Sequence, residues 1–312
     1  MHCFFNDEVF IPTHRCFSRM QVALLLATHA ALPPELYWKS MFPTTPIPKS
    51  LAHLLPPHGC GTTIHGGTEY RLEDRSCFDY CYKNNGKKLD DNANTALFFL
   101  EEDLKAGHKM NLLFKQASNQ AFFLPREIVK SIPFSSNKVA EILNEFAVKP
   151  GSINAEVMKN TIELCEDSGI KREEKYCATS LESLVDFITS KLGRHVEALS
   201  TEVVMETKKH EYTIMHGVKK VGVEKKVVVC HKLSYVHAVF YCHKIENTVA
   251  YTVSLKGADG SKVKAISVCH RDTSQWNPKH LAFQMLKVKP GSVPICHFLF
   301  QDTIAWVQTQ IR

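Results

Sequence analysis

The sequence has no long hydrophobic run, no extended basic cluster and no nucleotide-binding motif. Nothing in it approaches the roughly 18 consecutive apolar residues of a membrane-spanning helix, and its basic residues form only short pairs such as Lys208-Lys209. A Gly-rich phosphate loop, a Gly-x-Ser-x-Gly turn and a paired-carboxylate motif are also missing. These absences argue against a membrane-spanning protein, a nucleic-acid-binding protein, a nucleotide-dependent enzyme and a serine hydrolase.

The composition is that of a folded and slightly basic protein. Of the 312 residues, 44% are hydrophobic and 22% are charged, which is typical of a globular domain. The formal net charge of +6 allows attraction to acidic polymers such as pectin, but it is low for a nucleic-acid-binding protein. Eleven cysteines favour an oxidising compartment. No Asn-x-Ser/Thr sequon is present, so N-glycosylation adds no support for secretion.

Residues 1–31 have the features of a secretory signal peptide with an atypical start. Two arginines precede a short apolar stretch at 22–27, and the small residue Ala30 suits cleavage by signal peptidase. Asp7 and Glu8 are unusual in the first part of a signal peptide. We therefore expect an extracellular protein; the alternative is a cytosolic protein in which this apolar run has no targeting role.

The next segment, residues 32–95, is predicted to be a proline-rich region followed by a linker. Seven prolines from Pro33 to Pro57 discourage regular structure and favour extended conformations. Residues 58–94 are polar and rich in Gly and Asn, which is typical of a linker. The pairing of the cysteines in this segment is left open: they are Cys60, Cys77 and Cys81.

Residues 96–312 are predicted to form one α+β domain, with helices first and a mostly antiparallel β-sheet afterwards. The spacing of apolar residues predicts helices over 139–146, 153–162 and 181–192. Ser136 is a candidate cap for the first of these helices. Thr179 and Glu182 form a candidate capping box for the third, and Gly193 follows its end.

The sequence from Lys225 onward is typical of β-strands. Residues 249–255 alternate between apolar and polar, and the turn residues 257–260 lead into a second run at 262–268, which predicts a hairpin. Asn277-Pro278 predicts the start of one short helix within this half.

Four Cys-His dipeptides lie in this strand half, far more than chance would give. They are Cys230-His231, Cys242-His243, Cys269-His270 and Cys296-His297. Because adjacent residues on a strand point to opposite faces, the thiol and the imidazole of one dipeptide should lie on different sides of a sheet. This geometry disfavours the binding of both members of one dipeptide by a single tetrahedral metal ion. The Cys and His spacings of zinc fingers are also absent among these pairs.

In an oxidising compartment we expect the cysteines of the dipeptides to form two disulfides, for which three pairings are possible. A further disulfide between Cys165 and Cys177 would close the loop between the second and third helices. The remaining histidines of the dipeptides form the candidate metal set: His231, His243, His270 and His297. Imidazole suits copper and zinc, and Cu(II) has the highest affinity in the divalent series.

The alternative for any one of these histidines is a surface position or a structural hydrogen bond. The other histidines considered have no comparable pattern and are predicted to be structural or exposed: His108, His195, His210, His216, His237 and His280.

The dipeptides, with successive gaps of 10, 25 and 25 residues, resemble the signature of the BURP family. The resemblance covers residues 96–312 and includes the segments 175–183 and 272–278, while residues 32–49 resemble the segment that follows the family's signal peptide. Within the family, the chain is most similar to the dehydration-responsive plant subfamily. Residues 58–94 lack the Gly-Val-rich repeats that are usual there.

The resemblance implies two functions. Relatives in this subfamily are secreted plant proteins of the cell wall or apoplast, linked to drought, salt and abscisic-acid responses, and a basic protein there could bind acidic polysaccharide. Some other BURP proteins are copper-dependent peptide cyclases that crosslink a Tyr or Trp side chain, and by resemblance His231, His243, His270 and His297 would be the copper positions. A third possibility, a structural zinc protein with reduced cysteines, requires a cytosolic location.

The enzyme hypothesis needs a peptide substrate. Residues 58–94 contain no Trp, and no repeated core peptide surrounds their tyrosines, which are Tyr70, Tyr80 and Tyr82. A peptide supplied by another protein is therefore as reasonable a substrate as the chain itself.

Overall fold

The computed structural model describes residues 32–55, 97–114, 121–169, 173–203, 210–222 and 226–309. The predicted signal segment 1–31, the predicted linker 58–94 and its three cysteines lie outside these ranges. The described residues form a mixed α+β fold with two antiparallel sheets, and most of their helices lie in the first part of the chain. This confirms the predicted fold class.

The helices of the described ranges include all three that the spacing of apolar residues predicts. They are α1 (Pro34–Met41), α2 (Lys49–Ala52), α3 (Arg126–Ser131), α4 (Val139–Glu145), α5 (Ile153–Glu166), α6 (Leu181–Leu192) and α7 (Leu281–Leu286). The predicted helices correspond to α4, α5 and α6. Gly193 ends α6 with a φ of 77°, a backbone conformation that glycine tolerates best.

The predicted caps are wrong by one or more residues. Ser180, which has an extended backbone, begins α6: its hydroxyl accepts the N–H of Ser183, whose own hydroxyl accepts the N–H of Ser180. Glu182 therefore lies inside the helix and is buried. Ser136 does not cap α4, because it lies in a short 3-10 turn that precedes the helix.

The prediction of an extended proline-rich segment is wrong for α1. Proline is tolerated in the first turn of a helix, where its missing N–H leaves no hydrogen bond unmade, and Pro34 occupies this position. Trp38 and Phe42 then bury their side chains against Trp306, with ring centroids 5.4 and 5.6 Å away. The helix is stable in this place because its aromatic residues complete the core of the sheet domain.

The strands are numbered in chain order. They are β1 (Phe99–Leu100), β2 (Lys109–Leu112), β3 (Glu173–Ala178), β4 (Val196–Ser200), β5 (Glu202–Val203), β6 (His210–Ile214), β7 (Lys219–Val221), β8 (Val227–Leu233), β9 (Val239–Ile245), β10 (Thr248–Gly257), β11 (Lys262–His270), β12 (Ile295–Phe298) and β13 (Thr303–Gln308). The predicted hairpin is β10–β11. The loop predicted between α5 and α6 contains a strand, β3, which pairs with β9.

The strands form a large sheet and a small sheet. The large sheet has the order β1-β12-β11-β10-β6-β2, with β5 also pairing to β11 and β7 to β10. The small sheet has the order β3-β9-β8-β13-β4. Since β1 and β2 precede most of the helices and enter the large sheet, while β3 lies between α5 and α6 and enters the small sheet, helices and strands are less separated along the sequence than predicted.

The two sheets pack face to face, and we call the faces that meet the inner faces. Val229 and Ala305 of the small sheet lie in one buried cluster with Ala250, Ile266 and Val268 of the large sheet. The outer face of the small sheet is covered by helices, mainly α1 and α6. The outer face of the large sheet encloses its own apolar core, because the sheet curls and brings Phe114, two residues after β2, into ring contact with Phe298 of β12.

Candidate functional site

The four Cys-His dipeptides occupy equivalent positions in the two sheets. Those of the small sheet lie in the neighbouring strands β8 and β9, and those of the large sheet lie in the neighbouring strands β11 and β12. The cysteines stand directly opposite each other across each strand pair, and each opposed pair forms a disulfide: Cys230–Cys242 and Cys269–Cys296. Of the three possible pairings, the structure therefore selects the one within each pair of neighbouring strands.

The third disulfide, Cys165–Cys177, joins the end of α5 to β3. It lies beside the small-sheet dipeptides, since Cys177 is the register partner of Tyr241 on β9. Every cysteine in the described ranges is thus part of a disulfide.

Strand alternation places the sulfurs and the imidazoles on opposite faces. Cys230 and Cys242 belong to the core beneath the helices, and Cys269 and Cys296 belong to the outer core of the large sheet. The histidines that follow them therefore point to the inner faces. Each disulfide fixes two strands at the point where they present two histidines to the space between the sheets.

The histidines of the small sheet form a close diagonal pair. The Nε2 atoms of His231 and His243 are 3.2 Å apart. His243 Nδ1 lies 2.8 Å from Oε1 of Glu173, and the same oxygen accepts the hydroxyl of Tyr241 at 2.9 Å. The side chain of Glu173 is only 7% exposed, so this carboxylate is held in place and fixes the orientation of the His243 ring.

The histidines of the large sheet form a stacked pair with neutral hydrogen-bond partners. The rings of His270 and His297 lie 5.6 Å apart at an interplanar angle of 23°. Nδ1 of His270 is 3.0 Å from the hydroxyl of Thr248, and Nδ1 of His297 lies 3.4 Å from the carbonyl oxygen of Phe298. The ring of Trp276 packs against His270 at 5.1 Å. This half of the site is lined by aromatic and neutral groups.

Burial keeps three of these imidazoles neutral at ordinary pH. Burial, followed by the neighbouring His243 and His297, lowers the pKa of His231 well below 6.5. The pKa of His270 is also well below 6.5, mainly because of burial and to a smaller extent because of repulsion from the charges that the other imidazoles would carry. Burial lowers the pKa of His297 to about 4. The imidazoles of the two sheets influence one another's pKa, so the two pairs face the same space between the sheets, and we call the four histidines together the cluster.

The chemistry of this donor set fits a metal ion such as copper. A neutral imidazole that donates from Nδ1 leaves a lone pair on Nε2, and His243 and His297 both direct Nδ1 to a protein oxygen. Two nitrogen ligands that bind one metal ion at about 2.0–2.1 Å, with a nitrogen–metal–nitrogen angle of about 90–110°, have their nitrogen atoms about 2.8–3.4 Å apart. The Nε2 atoms of His231 and His243 are 3.2 Å apart, which is within this range. Within the described ranges, no group of three His, Cys, Asp or Glu side chains is arranged so that it could hold a metal ion.

Several residues around the cluster were not predicted from the sequence. Glu173, Thr248 and Trp276 contact the histidines directly. Tyr241 packs its ring against His243 at 5.3 Å and shares the carboxylate of Glu173 with it. Trp276 lies in the segment 272–278 that carries the family resemblance, which could have drawn attention to it. Glu173 carries no such signal, because its strand was predicted as a loop.

The histidines predicted to be structural or exposed include two with defined roles. His280 accepts the N–H of Ala282 at the start of α7 and contacts Trp276 at 4.8 Å between ring centroids. His237 is buried beside Tyr235 and Phe146, and this burial lowers its pKa to about 4. His237 lies apart from the four histidines, whereas His280 borders the large-sheet pair and contributes to the lowered pKa of His270 and His297.

Comparison with known proteins identifies the family. Residues 97–308 match the BURP domain, and the chain therefore belongs to the BURP family, as its dipeptides predicted. It is similar to BURP domain protein RD22 of Arabidopsis thaliana, with 51% identity over 235 residues, or 73% of this chain and 60% of that protein. BURP domain-containing protein 5 of Oryza sativa subsp. japonica is 42% identical over 299 residues, or 90% of this chain and 89% of that protein.

The similarity to other relatives covers a smaller part of their length. BURP domain-containing protein 3 of Oryza sativa subsp. japonica is 49% identical over 237 residues, which are 74% of this chain and 55% of that protein. The chain thus spans less than two thirds of that protein and of RD22. Among the described residues, no helix has the length and apolar character needed to cross a membrane.

Proposed function

We propose that this BURP protein is secreted by plant cells and acts in the apoplast or cell wall in the response to dehydration, salt or abscisic acid. The observation that carries the proposal is the complete pairing of the described cysteines into three disulfides. Such disulfides persist in oxidising compartments and are rare in the cytosol. The similarity to RD22, a dehydration-responsive BURP protein, supports the stress role.

The location and the stress role need separate tests. The full chain fused to a fluorescent protein should remain outside the plasma membrane of plasmolysed plant cells, whereas fluorescence confined to the cytosol would overturn the location. A plant line that lacks the gene should survive water deficit less well than the same line complemented with it. Equal survival of the two lines would contradict the stress role.

A second candidate function is a copper-dependent peptide cyclase, and the cluster of four imidazoles favours it. His231, His243, His270 and His297 would hold the metal through ring nitrogens, and Glu173 would keep the His243 ring in one orientation. Bound copper would supply the one-electron oxidation of a phenol or an indole. The disulfides keep the strands in register, and the aromatic surroundings of the large-sheet pair limit the access of water.

The crosslink of such an enzyme joins a Tyr or Trp side chain to a nearby carbon of the peptide. One bond forms, and the two hydrogens lost from the joined atoms leave as two protons and two electrons. An oxidant of the class of dioxygen must accept these electrons. The peptide would come from another protein or from residues 58–94 of this chain, where the candidate side chains are Tyr70, Tyr80 and Tyr82.

The metal content of the purified, secreted full chain tests this second function. We expect stoichiometric copper and few free thiols, with copper lost in the four single variants H231A, H243A, H270A and H297A. The exposed His216 provides a matched control, and H216A should keep the metal. If the chain holds no copper while its disulfides are intact, the histidines are structural and the cyclase function is contradicted.

A further inference from the structure

The small sheet covers only part of the inner face of the large sheet. Ile266 and Val268 on β11 are buried against the small sheet. Lys262 and Lys264 point to the same side of the same strand, yet they are exposed. The small sheet therefore ends between the Ile266 and Lys264 positions, and the far end of the β10–β11 hairpin extends beyond it as an open surface.

This open surface is basic, and we call it the basic face; its cations are Lys219, Lys256, Lys262 and Lys264. Lys256 stands directly opposite Lys262, an arrangement of like charges that destabilises a sheet. Within the described chain, none of the four lysines forms an ion pair. Glu202 of β5, opposite Lys264, is the one acidic residue in register with them among the described strands.

The basic face also forms a shallow depression of about 280 Å³. Lys256, Lys262 and Lys264 line it together with Ser254, Glu202 and Met215. The side chain of Met215 is 39% exposed, so an apolar contact lies beside the ammonium groups. The surface thus offers repeated positive charge, a hydroxyl and one apolar patch along an extended strand pair.

We propose that the basic face binds an acidic polysaccharide whose carboxylates repeat along an extended chain, of the polygalacturonate type. The proposal names the binding surface for the wall polymer and rests on the extracellular location proposed above. Alternate residues of a strand lie about 6.6–6.8 Å apart, so Lys262 and Lys264 on β11 can contact successive carboxylates, with Lys256 of β10 beside Lys262. A second copy of this chain is a poor occupant, because two basic faces repel each other.

Binding to immobilised polygalacturonate at low and at high salt tests the basic face. The secreted full chain should bind at low ionic strength and lose affinity as salt screens the charges. The triple variant K256Q/K262Q/K264Q should bind about tenfold more weakly or worse, since it removes three exposed contacts. The matched control K149Q/K279Q/K289Q removes the same charge from exposed lysines elsewhere, and it should bind within about twofold of the unmodified chain.

The possible results distinguish a failure of the basic face as the binding surface from a failure of the proposed extracellular location. Equal losses in both triple variants would mean that net charge attracts the polymer, which would overturn the basic face as a site. Binding that persists on fully methyl-esterified pectin would overturn the role of the carboxylates. No binding of the unmodified chain at low salt would remove the wall polymer as a partner but leave the extracellular location standing. Thermal unfolding of the control variant should match the unmodified chain, because its three positions are exposed. The basic-face variant should unfold at the same or a slightly higher temperature, because it removes the repulsion between Lys256 and Lys262.

Discussion

The two sheets carry the same local motif in different surroundings. In each sheet, one cross-strand disulfide lies on the outer face, and two histidines diagonal to each other lie on the inner face. In the small sheet, a buried carboxylate holds one of the histidines. In the large sheet, a hydroxyl and a backbone carbonyl take that place.

This difference gives the two halves of the cluster different chemical characters. The Glu173 carboxylate holds Nδ1 of the His243 ring and fixes its Nε2 toward His231. Within the described chain, no carboxylate hydrogen-bonds to the large-sheet pair, and Trp276 packs against it. If the cluster binds copper, the small-sheet pair is the better organised half of the site and the large-sheet pair forms its aromatic side.

The largest expected effect comes from removing one disulfide at a time. The double variant C269A/C296A should lose about 3.5 kcal/mol of unfolding free energy and C230A/C242A about 3 kcal/mol, because the chain segments they close span 27 and 12 residues. Guanidinium unfolding of the secreted proteins measures both losses. A larger loss for C230A/C242A would show that packing around the sulfurs, rather than the length of the closed segment, sets the difference between the sheets.

A smaller effect should come from one histidine of the small sheet when the pH is lowered, in addition to the losses expected from the buried His231, His270 and His297. His237, in the connection between β8 and β9, has a pKa lowered by burial to about 4, whereas the described turn between β10 and β11 contains no histidine. The unfolded chain binds this proton below a pH of about 6.5 and the folded chain only near 4, so stability falls as the pH drops through this window. At pH 4.5 the loss from His237 should be about 2.5 kcal/mol.

The variant H237F isolates this contribution, because it keeps an aromatic ring between Tyr235 and Phe146 and removes the titrating group. Unfolding free energies at pH 7 and pH 4.5 should differ less in H237F than in the unmodified chain. If both proteins lose the same stability, the buried imidazole of His237 does not couple folding to pH.

The parts of the fold that the sequence predicts are those with a clear local pattern. The apolar spacing of α6 and the alternation of β10–β11 each identify an element without reference to any other part of the chain. The same alternation predicts that each cysteine and the histidine after it face opposite sides. These inferences hold because they depend only on the period of one helix or one strand.

The remaining features depend on residues far apart in the chain. Helix α1 is stabilised because Trp38 packs against Trp306, and no local sequence pattern predicts this contact. Strand β3, with the sequence Glu-Glu-Lys-Tyr-Cys-Ala, has little apolar alternation and is held by its pairing to β9. The disulfide pairing and the meeting of the two histidine pairs likewise follow from which strands are neighbours, so Glu173 could not be predicted as a partner of His243.

The most sensitive test of the difference between the sheets compares the supporting partners of the two histidine pairs. The variant E173Q keeps the size of the side chain and removes its charge, while T248V removes the hydroxyl beside His270 at nearly constant shape. If the chain binds copper, E173Q should weaken the affinity about 10–100-fold, the range typical of partners that orient a metal-binding histidine. T248V should weaken it less, because a neutral hydroxyl contributes less to the basicity of the ring than a carboxylate does.

Copper affinity from competition titration and the electron paramagnetic resonance spectrum of the bound metal give two independent measurements of this difference. Glu174 provides the control, since it points to the opposite face of β3 and pairs with Lys191 and Lys244. E174Q should therefore leave both measurements unchanged. An equal loss in E173Q and T248V would mean that the two sheets contribute equally to the site. An unchanged spectrum and affinity in E173Q, in a chain that does bind copper, would show that the carboxylate supports only the fold.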